Sequence, residues 1–529
     1  MRTYLVLVSS LLFGATTFAA ESPNRPNLVV FLIDDFGWQD TSVSFFAEQT
    51  PQNRHFRTPN MERLARQGVK FRQAYACCVC SPTRSSILTG YNAARHGITN
   101  WILHPDKETS AKTPHLAAPV NWRRGGIQPG EITLPGLLRE RYGYRTIHVG
   151  KAHWGAHGTP GSEPMNLGFD VNIAGHAAGS PGHYHGEKNY GNKEKGGLTE
   201  PWGVPGLEKY HGTDVHLSDA LTLEAIAAVE QSVAEQTPFF LYFAHYAVHT
   251  PIQSHPRFMS HYQGQNFPGT NIPIDPIEAR YASLVEGIDA SLGDVLQALD
   301  RLDVARNTIV VFLSDNGGLS RHARGTSANG GKANTHNIPL REGKGSAYEG
   351  GTRIPFLCSW AQPAPEEPQQ AALPIAQAAV QDLPIIVEDL FPSLLHWASA
   401  GTANPPLPRD GRDITPLLTH HVDAQAVREF QQRPLVFHYP HHWNGGVEGG
   451  YQPHSSIRVG DAKAIYFYEN RRWELYDLAN DLSEQHDLAE QHPAQLQQLA
   501  TQLQILLHDR NAQWPYDFVQ HEDEPLRLP

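Results

Sequence analysis

Cys80 opens the run Cys80-Ser81-Pro82-Thr83-Arg84, and Ile87-Leu88-Thr89-Gly90 closes it. Pro82 suits the first turn of a helix, where its missing N–H costs nothing, and Ser81 is then the expected N-cap. Cys80 would stand just outside that helix. The positive field of a helix N-terminus favours an anion or a developing oxyanion there. A second group offers only oxygen ligands: Asp34-Asp35 and Asp315-Asn316. Carboxylates and an amide carbonyl suit a hard divalent cation, Ca²⁺ or Mg²⁺, rather than zinc. Taken alone, each acidic pair is as ordinary as a cap or a turn after a strand. Any single lysine or histidine is by itself a surface or core residue. Position along the chain is what singles these residues out.

Asn27–Ile33 is a continuous apolar, β-branched run, the pattern of a strand buried on both faces. Similar runs recur at 145–149, Phe239–Ala244 and 308–313. Helical patterns lie between them. Thr58-Pro59 starts one, with Met61, Leu64 and Ala65 on one face, and a longer one begins near Ile277. Strands alternating with helices predict an α/β sandwich with a largely parallel sheet. Ligands bind such sheets at the carboxyl ends of the strands. Asp34-Asp35, Gly150-Lys151-Ala152-His153, His249 and Asp315-Asn316 each follow one of the four runs. Four strand ends thus deliver polar residues toward one place.

The 529 residues suffice for more than one domain, and 45 Gly with 40 Pro indicate a loop-rich globular chain. A net charge of -12 argues against nucleic acid as a partner. It leaves room for a local basic pocket and an anionic substrate. Residues 1–20 read as a secretory signal: Arg2, an apolar stretch, then Ala15, Thr16, Thr17, Ala19 and Ala20. No later segment is apolar enough to span a membrane, so the expected location is periplasmic or extracellular. Of four cysteines, Cys77, Cys78 and Cys80 crowd together and Cys358 stands alone, which leaves room for at most one disulfide once Cys80 is modified. Residues 321–337 read as a loop and 362–384 as an exposed connection. The expected domains are 21–430 and a smaller one over 431–529. The latter holds short strand-like runs and an amphipathic helix bearing Leu496, Leu499, Leu503, Leu506 and Leu507.

Together these motifs resemble the type I, formylglycine-dependent sulfatase family of the alkaline-phosphatase-like superfamily, and bacterial carbohydrate sulfatases in particular. The resemblance rests on Asp34-Asp35-Phe36-Gly37, the Cys80 run, Gly150-Lys151-Ala152-His153-Trp154-Gly155 and His249-Thr250-Pro251. It extends through Ser314-Asp315-Asn316-Gly317-Gly318, Lys344, Glu349-Gly350-Gly351-Thr352-Arg353-Ile354-Pro355 and Glu474-Leu475-Tyr476-Asp477-Leu478. Ala152 departs from it, standing where the family usually has a bulkier residue. The resemblance implies an alkaline-phosphatase-like sandwich: a large, mostly parallel central sheet flanked by helices, plus a smaller C-terminal α+β domain with a short antiparallel sheet. It implies that a maturation enzyme converts Cys80 to formylglycine, whose hydrate attacks sulfur and later expels inorganic sulfate as its second hydroxyl gives a proton to His153. Arg84 would hold the diol, Lys151 and Lys344 the sulfate oxygens. His249 would protonate the leaving alcohol. One Ca²⁺ would sit on Asp34, Asp35, Asp315 and Asn316, with residue 80 as a further ligand.

Segments 37–41, 92–96 and 439–443 are similar to those of enzymes that remove 4-O-sulfate from galactose or N-acetylgalactosamine. Arg95 and His96, His176 in the His-rich loop that starts at Gly175, and His441, His442 and Trp443 are candidate contacts to a sulfated oligo- or polysaccharide, since aromatic and histidine side chains on loops suit sugar rings. Two other readings compete. One is a phosphonate or phosphate ester hydrolase of the same superfamily, and the other is a catalytically silent glycan-binding protein.

Overall fold

The computed structural model describes residues 25–529 except 112, 114, 192–200, 321–322, 329, 331–335, 401–406 and 444–448. The signal expected at residues 1–20, and part of the loop expected at 321–337, lie outside the described residues.

A nine-stranded sheet runs in the order Ile385–Ile386, Val69–Tyr75, Arg353–Trp360, Thr308–Ser314, Asn27–Ile33, Phe239–Ala244, Arg145–Gly150, Val171–Ile173, with Ala379–Gln381 also paired to Val69–Tyr75. Only Arg353–Trp360 runs against its neighbours; the other pairings are parallel. Side chains alternate across a strand, and both faces of the sheet are covered. Val29, Phe31 and Ile33 enter one core, with Met61, Leu221, Leu284, Ile288 and Leu292 from helices on that side. Leu28, Val30 and Leu32 enter the other, with Ile87, Leu88, Leu138, Phe391 and Leu394. Burial on both faces is what makes these strands read as unbroken apolar runs.

Two elements escape that reading. Arg353–Trp360 contains Pro355, which ordinarily demotes a strand to an edge, yet the strand is wholly buried inside the sheet. Its partner Val69–Tyr75 changes register between Phe71 and Ala74, opposite this proline. On the other side, the pairing with Thr308–Ser314 begins only at Phe356. The bulge therefore falls where Pro355 has no N–H to give. Residues 362–384, expected as an exposed connection, instead contain the short helix Pro368–Ala372 and the strand Ala379–Gln381. Register with Val69–Phe71 supplies the backbone partners that composition cannot foretell.

Near the C-terminus, Leu435–Tyr439, His454–Val459, Ala462–Phe467 and Arg472–Asp477 form an antiparallel sheet in chain order. The helix Pro493–Asp509 lays Leu496, Leu499, Leu503 and Leu507 on Ile457, Ala464, Tyr466 and Leu475. A buried ionic joint ties this sheet to the larger one. Lys463 Nζ lies 3.0 Å from Glu349 Oε1 and 2.8 Å from Glu484 Oε1, and Tyr75 Oη donates to Glu349 Oε2 at 2.7 Å. Burial opposes ionisation of Glu349, but Lys463, Arg353 and Arg458 hold its carboxyl below the usual range. Lys463→Met would leave two buried carboxylates without their shared cation. A loss of roughly 3–5 kcal/mol is expected, read as a lower urea midpoint, and a shift below 1 kcal/mol would refute the joint.

Candidate active site

The ends of four parallel strands carry the polar residues. Asp34 and Asp35 follow Asn27–Ile33, Lys151 and His153 follow Arg145–Gly150, His249 lies past Phe239–Ala244, and Asp315-Asn316 follow Thr308–Ser314. Asp35 and His153 adopt positive φ, 59° and 62°. Residues without a glycine's freedom hold that conformation only when the surroundings impose it, and such strain gathers at functional sites.

Position 80 comes from a helix and not from a strand end. Helix Cys80–Thr89 is buried along its whole length. Its N-cap is Val79, with no side-chain cap, so the expected cap at Ser81 is corrected: Cys80 is the first residue of the helix, not its outside neighbour. The first-turn amides thus keep their positive field directed at position 80. Cys80 Sγ lies 3.3 Å from His153 Nδ1. His153 Nε2 lies 2.6 Å from the carbonyl of Ile102. A carbonyl only accepts, so Nε2 carries the proton and Nδ1 presents its lone pair to position 80. Burial, reinforced by Lys151, pushes His153 well below the ordinary histidine value, which keeps it a neutral base. Gly179 packs on the ring face; a Cβ there would come within 2.3 Å of it.

Cations surround the same point. Lys151 Nζ is 2.7 Å from Asp34 Oδ2 and 4.0 Å from Asp315 Oδ2. Lys344 Nζ is 2.6 Å from Asp35 Oδ1. Arg84 Nε donates to Asp315 Oδ2 at 2.8 Å and Nη1 to the carbonyl of Lys151 at 2.6 Å, while its buried Nη2 has no partner. His249 Nε2 stands 3.6 Å from Asp35 Oδ2. Burial and then Lys344 push His249 down to about 3.

The carboxylates test whether a cation fits. Asp34, Asp35 and Asp315 bring ligand oxygens within 4.8 Å of one another, all buried. Asp34 Oδ1, Asp35 Oδ2 and Asn316 Oδ1 are buried with no hydrogen-bond partner. Asn316 Nδ2 instead donates to Asp35 Oδ1 at 2.9 Å, which turns its oxygen inward. Burial, with Asp315 and Asp35 adding, raises Asp34 well above the carboxylate range despite Lys151. Orphaned oxygens beside a carboxyl that resists ionising are what a hard divalent cation resolves. The donor set fits such an ion.

A cavity of about 600 Å³ lies over this cluster, lined by Asp35, Cys80, His153, His249 and Lys344 together with residues of several loops. Of the expected substrate contacts, His442 and Trp443 line it. The others are placed differently. Arg95 pairs with Asp410 at 2.9 Å and with Asp509 at 2.9 Å, tying down the C-terminal helix. His96 is buried, bonded to Ser86 Oγ at 3.2 Å and to the amide of Ile98 at 3.0 Å. His176 gives its carbonyl to the amide of His153 at 3.1 Å. His441 is wedged between Thr99 Oγ1 and Ser110 Oγ, 2.8 Å from each. These four act through packing and backbone, which residue type does not announce. Trp101, Thr109, Ser110, Ala111, Ser180 and Trp202 also line the cavity. They lie in irregular segments with no periodicity or spacing to mark them.

A model of the Sulfatase family matches residues 26–400. A protein of Formosa agariphila described as a sulfatase is 28% identical over 93% of this chain and 89% of its own length. The N-acetylgalactosamine-6-sulfatase of Mus musculus is 29% identical over 96% of this chain and 84% of its own. A crystal structure of Ps i-CgsB in complex with k-i-k-neocarrahexaose is 25% identical, covers 92% of this chain and 93% of that one, and superposes with a TM-score of 0.66.

Proposed function

The chain belongs to the sulfatase family, and from that premise we propose that it frees inorganic sulfate from a galactose or N-acetylgalactosamine sulfate ester in an exported, polysaccharide-degrading role. The observation that carries this reading is the lone pair of His153 Nδ1 directed at position 80, amid Lys151, Lys344 and Arg84. It is supported by a relative that acts on N-acetylgalactosamine 6-sulfate and a neighbour bound to a neocarrahexaose. The segments shared with 4-sulfatases add the 4-position as a second substrate.

Formylglycine made at Cys80 would supply, as its hydrate, a hydroxyl nucleophile and a second hydroxyl for release. Asp34, Asp35, Asp315 and Asn316 would hold a Ca²⁺, which would supply charge to polarise the sulfate oxygens. The chain's own residues do the rest. Lys151 and Lys344 bind the ester's charged oxygens as fixed ammonium groups. Arg84, with its free Nη2, steadies the group at position 80. His153 Nδ1 takes the proton whose loss frees sulfate. His249 lines the cavity, but burial and Lys344 hold it neutral, so it serves the departing alcohol oxygen as an acid only after taking up a proton, which the bound anionic ester favours by offsetting Lys344.

The test is sulfate release from 4- and 6-sulfated galactose and N-acetylgalactosamine, with the phosphate ester of one sugar as comparator. Release from sulfate esters in preference to the phosphate supports the reading, and the reverse preference overturns it. His153→Ala is expected to lower kcat by on the order of 10²–10⁴. A smaller effect on KM should accompany it, because His153 moves a proton and does not bind the ester. A kcat within threefold of wild type would remove His153 from the mechanism.

A further inference from the structure

Three tryptophans line the cavity over position 80: Trp101, Trp202 and Trp443. They come from separate segments, and each is only partly buried. Each backbone is pinned from elsewhere. The Trp101 carbonyl accepts from Thr109 Oγ1 at 2.7 Å, the Trp202 carbonyl accepts from the amide of Gly182 at 2.7 Å, and the Trp443 amide donates to the carbonyl of Tyr451 at 2.8 Å. Trp443 is also locked against the cluster below. The Lys344 ammonium lies 5.6 Å from its ring centroid. Gly345 meets the indole so closely that a Cβ would approach within 2.4 Å. The neighbouring His442 carbonyl takes the amide of Ala111 at 2.8 Å, so two cavity walls brace each other.

Indoles on pinned backbones in a concave site, with part of their surface left to solvent, are placed to meet a ligand. Sulfate chemistry has no use for them, because Lys151, Lys344, Arg84 and the carboxylate cluster already serve the charged group. What remains is the alcohol. We propose that Trp101, Trp202 and Trp443 form the recognition wall for the leaving alcohol and select a pyranose by the C–H face of its ring. The ring's hydroxyls then point toward polar groups on the wall. Ser110 Oγ is one, set in place by Glu108 Oε1 at 2.9 Å and His441 Nδ1 at 2.8 Å. Trp443 belongs to the segment that follows the strand Leu435–Tyr439, so the C-terminal sheet's side of the molecule supplies a wall of the cavity. This inference rests on the sulfatase reading and specifies what that reaction recognises beyond the ester.

The experiment compares kcat/KM for a sulfated galactose with that for a short-chain alkyl sulfate, which carries the ester but no ring. It is run in the wild type, in the alanine variant of each tryptophan and in Trp443→Phe. A parallel titration follows quenching of tryptophan fluorescence by unsulfated galactose in Cys80→Ala. The sugar-to-alkyl ratio is expected to fall on the order of 10- to 100-fold in Trp443→Ala. Trp443→Phe should recover most of it, because a smaller aromatic face still stacks, and galactose should quench. An unmoved ratio in all three alanine variants, or no quenching, overturns the inference. Should the wild type hydrolyse neither ester, the assigned reaction falls, and the fluorescence titration alone decides whether the indoles hold a sugar.

Discussion

Cys80→Ala is expected to remove sulfate release altogether, by on the order of 10⁵-fold or more, in a host able to convert the cysteine. Two groups at the site converge on this position. His153 aims its lone pair at it from 3.3 Å, and Arg84 lies one helical turn further along the same buried helix. Cys80 itself is 2% exposed, and its buried thiol is pushed up from the ordinary value, with Lys151 and Lys344 pulling the other way. An unmodified thiol is thus held protonated by burial and is a poor nucleophile. The loss should be in turnover and not in folding, since alanine keeps the helix and removes only the atoms attached to Cβ at position 80. The check is sulfate release alongside a melting curve and a mass spectrum of the peptide containing position 80. An alanine variant retaining a tenth of wild-type turnover would end the proposed mechanism.

Chelation is expected to be nearly as damaging, and reversible. Removing the divalent ion should reduce turnover by on the order of 10³-fold, because four side-chain oxygens would lose the charge they are arranged around. It should also lower the melting temperature. An ion that binds only the folded chain stabilises it by about 2.7 kcal/mol at a hundredfold excess over Kd. Asp34 Oδ1, Asp35 Oδ2 and Asn316 Oδ1 supply the structural reason, being buried without partners in a cluster that includes three carboxylates. Titrating Ca²⁺ and Mg²⁺ back separates the two ions, since the smaller one demands tighter octahedral geometry. Asp35→Asn should abolish this thermal response. If chelator shifts neither turnover nor melting temperature, the carboxylate cluster holds no catalytic ion.

Much of this arrangement was legible before any coordinates. The four apolar runs that became central strands were readable because burial on both faces leaves no polar interruption. The residues at their carboxyl ends were readable for a second reason, because chemistry in an open α/β sheet gathers where strands stop. Arg353–Trp360 was not readable. Its proline is admissible only because a bulge lies across from it on another strand, a relation between segments some 280 positions apart.

The cavity wall divides in the same way. The sequence by itself picked out the charged half of the site: the oxygen donors that would hold a cation, the residues that carry positive charge and the one that stands at position 80. Those roles demand particular residue types at particular places in a motif. Only the tertiary structure decided that Arg95 and His96 are braces within the fold, and that Trp101, Trp202 and Ser110 face the ligand space. The backbone carbonyl of Ile102 makes the point most sharply. It sets the tautomer of His153 from 51 residues away. A carbonyl is the same in every residue, so its role exists only through the fold that carries it there.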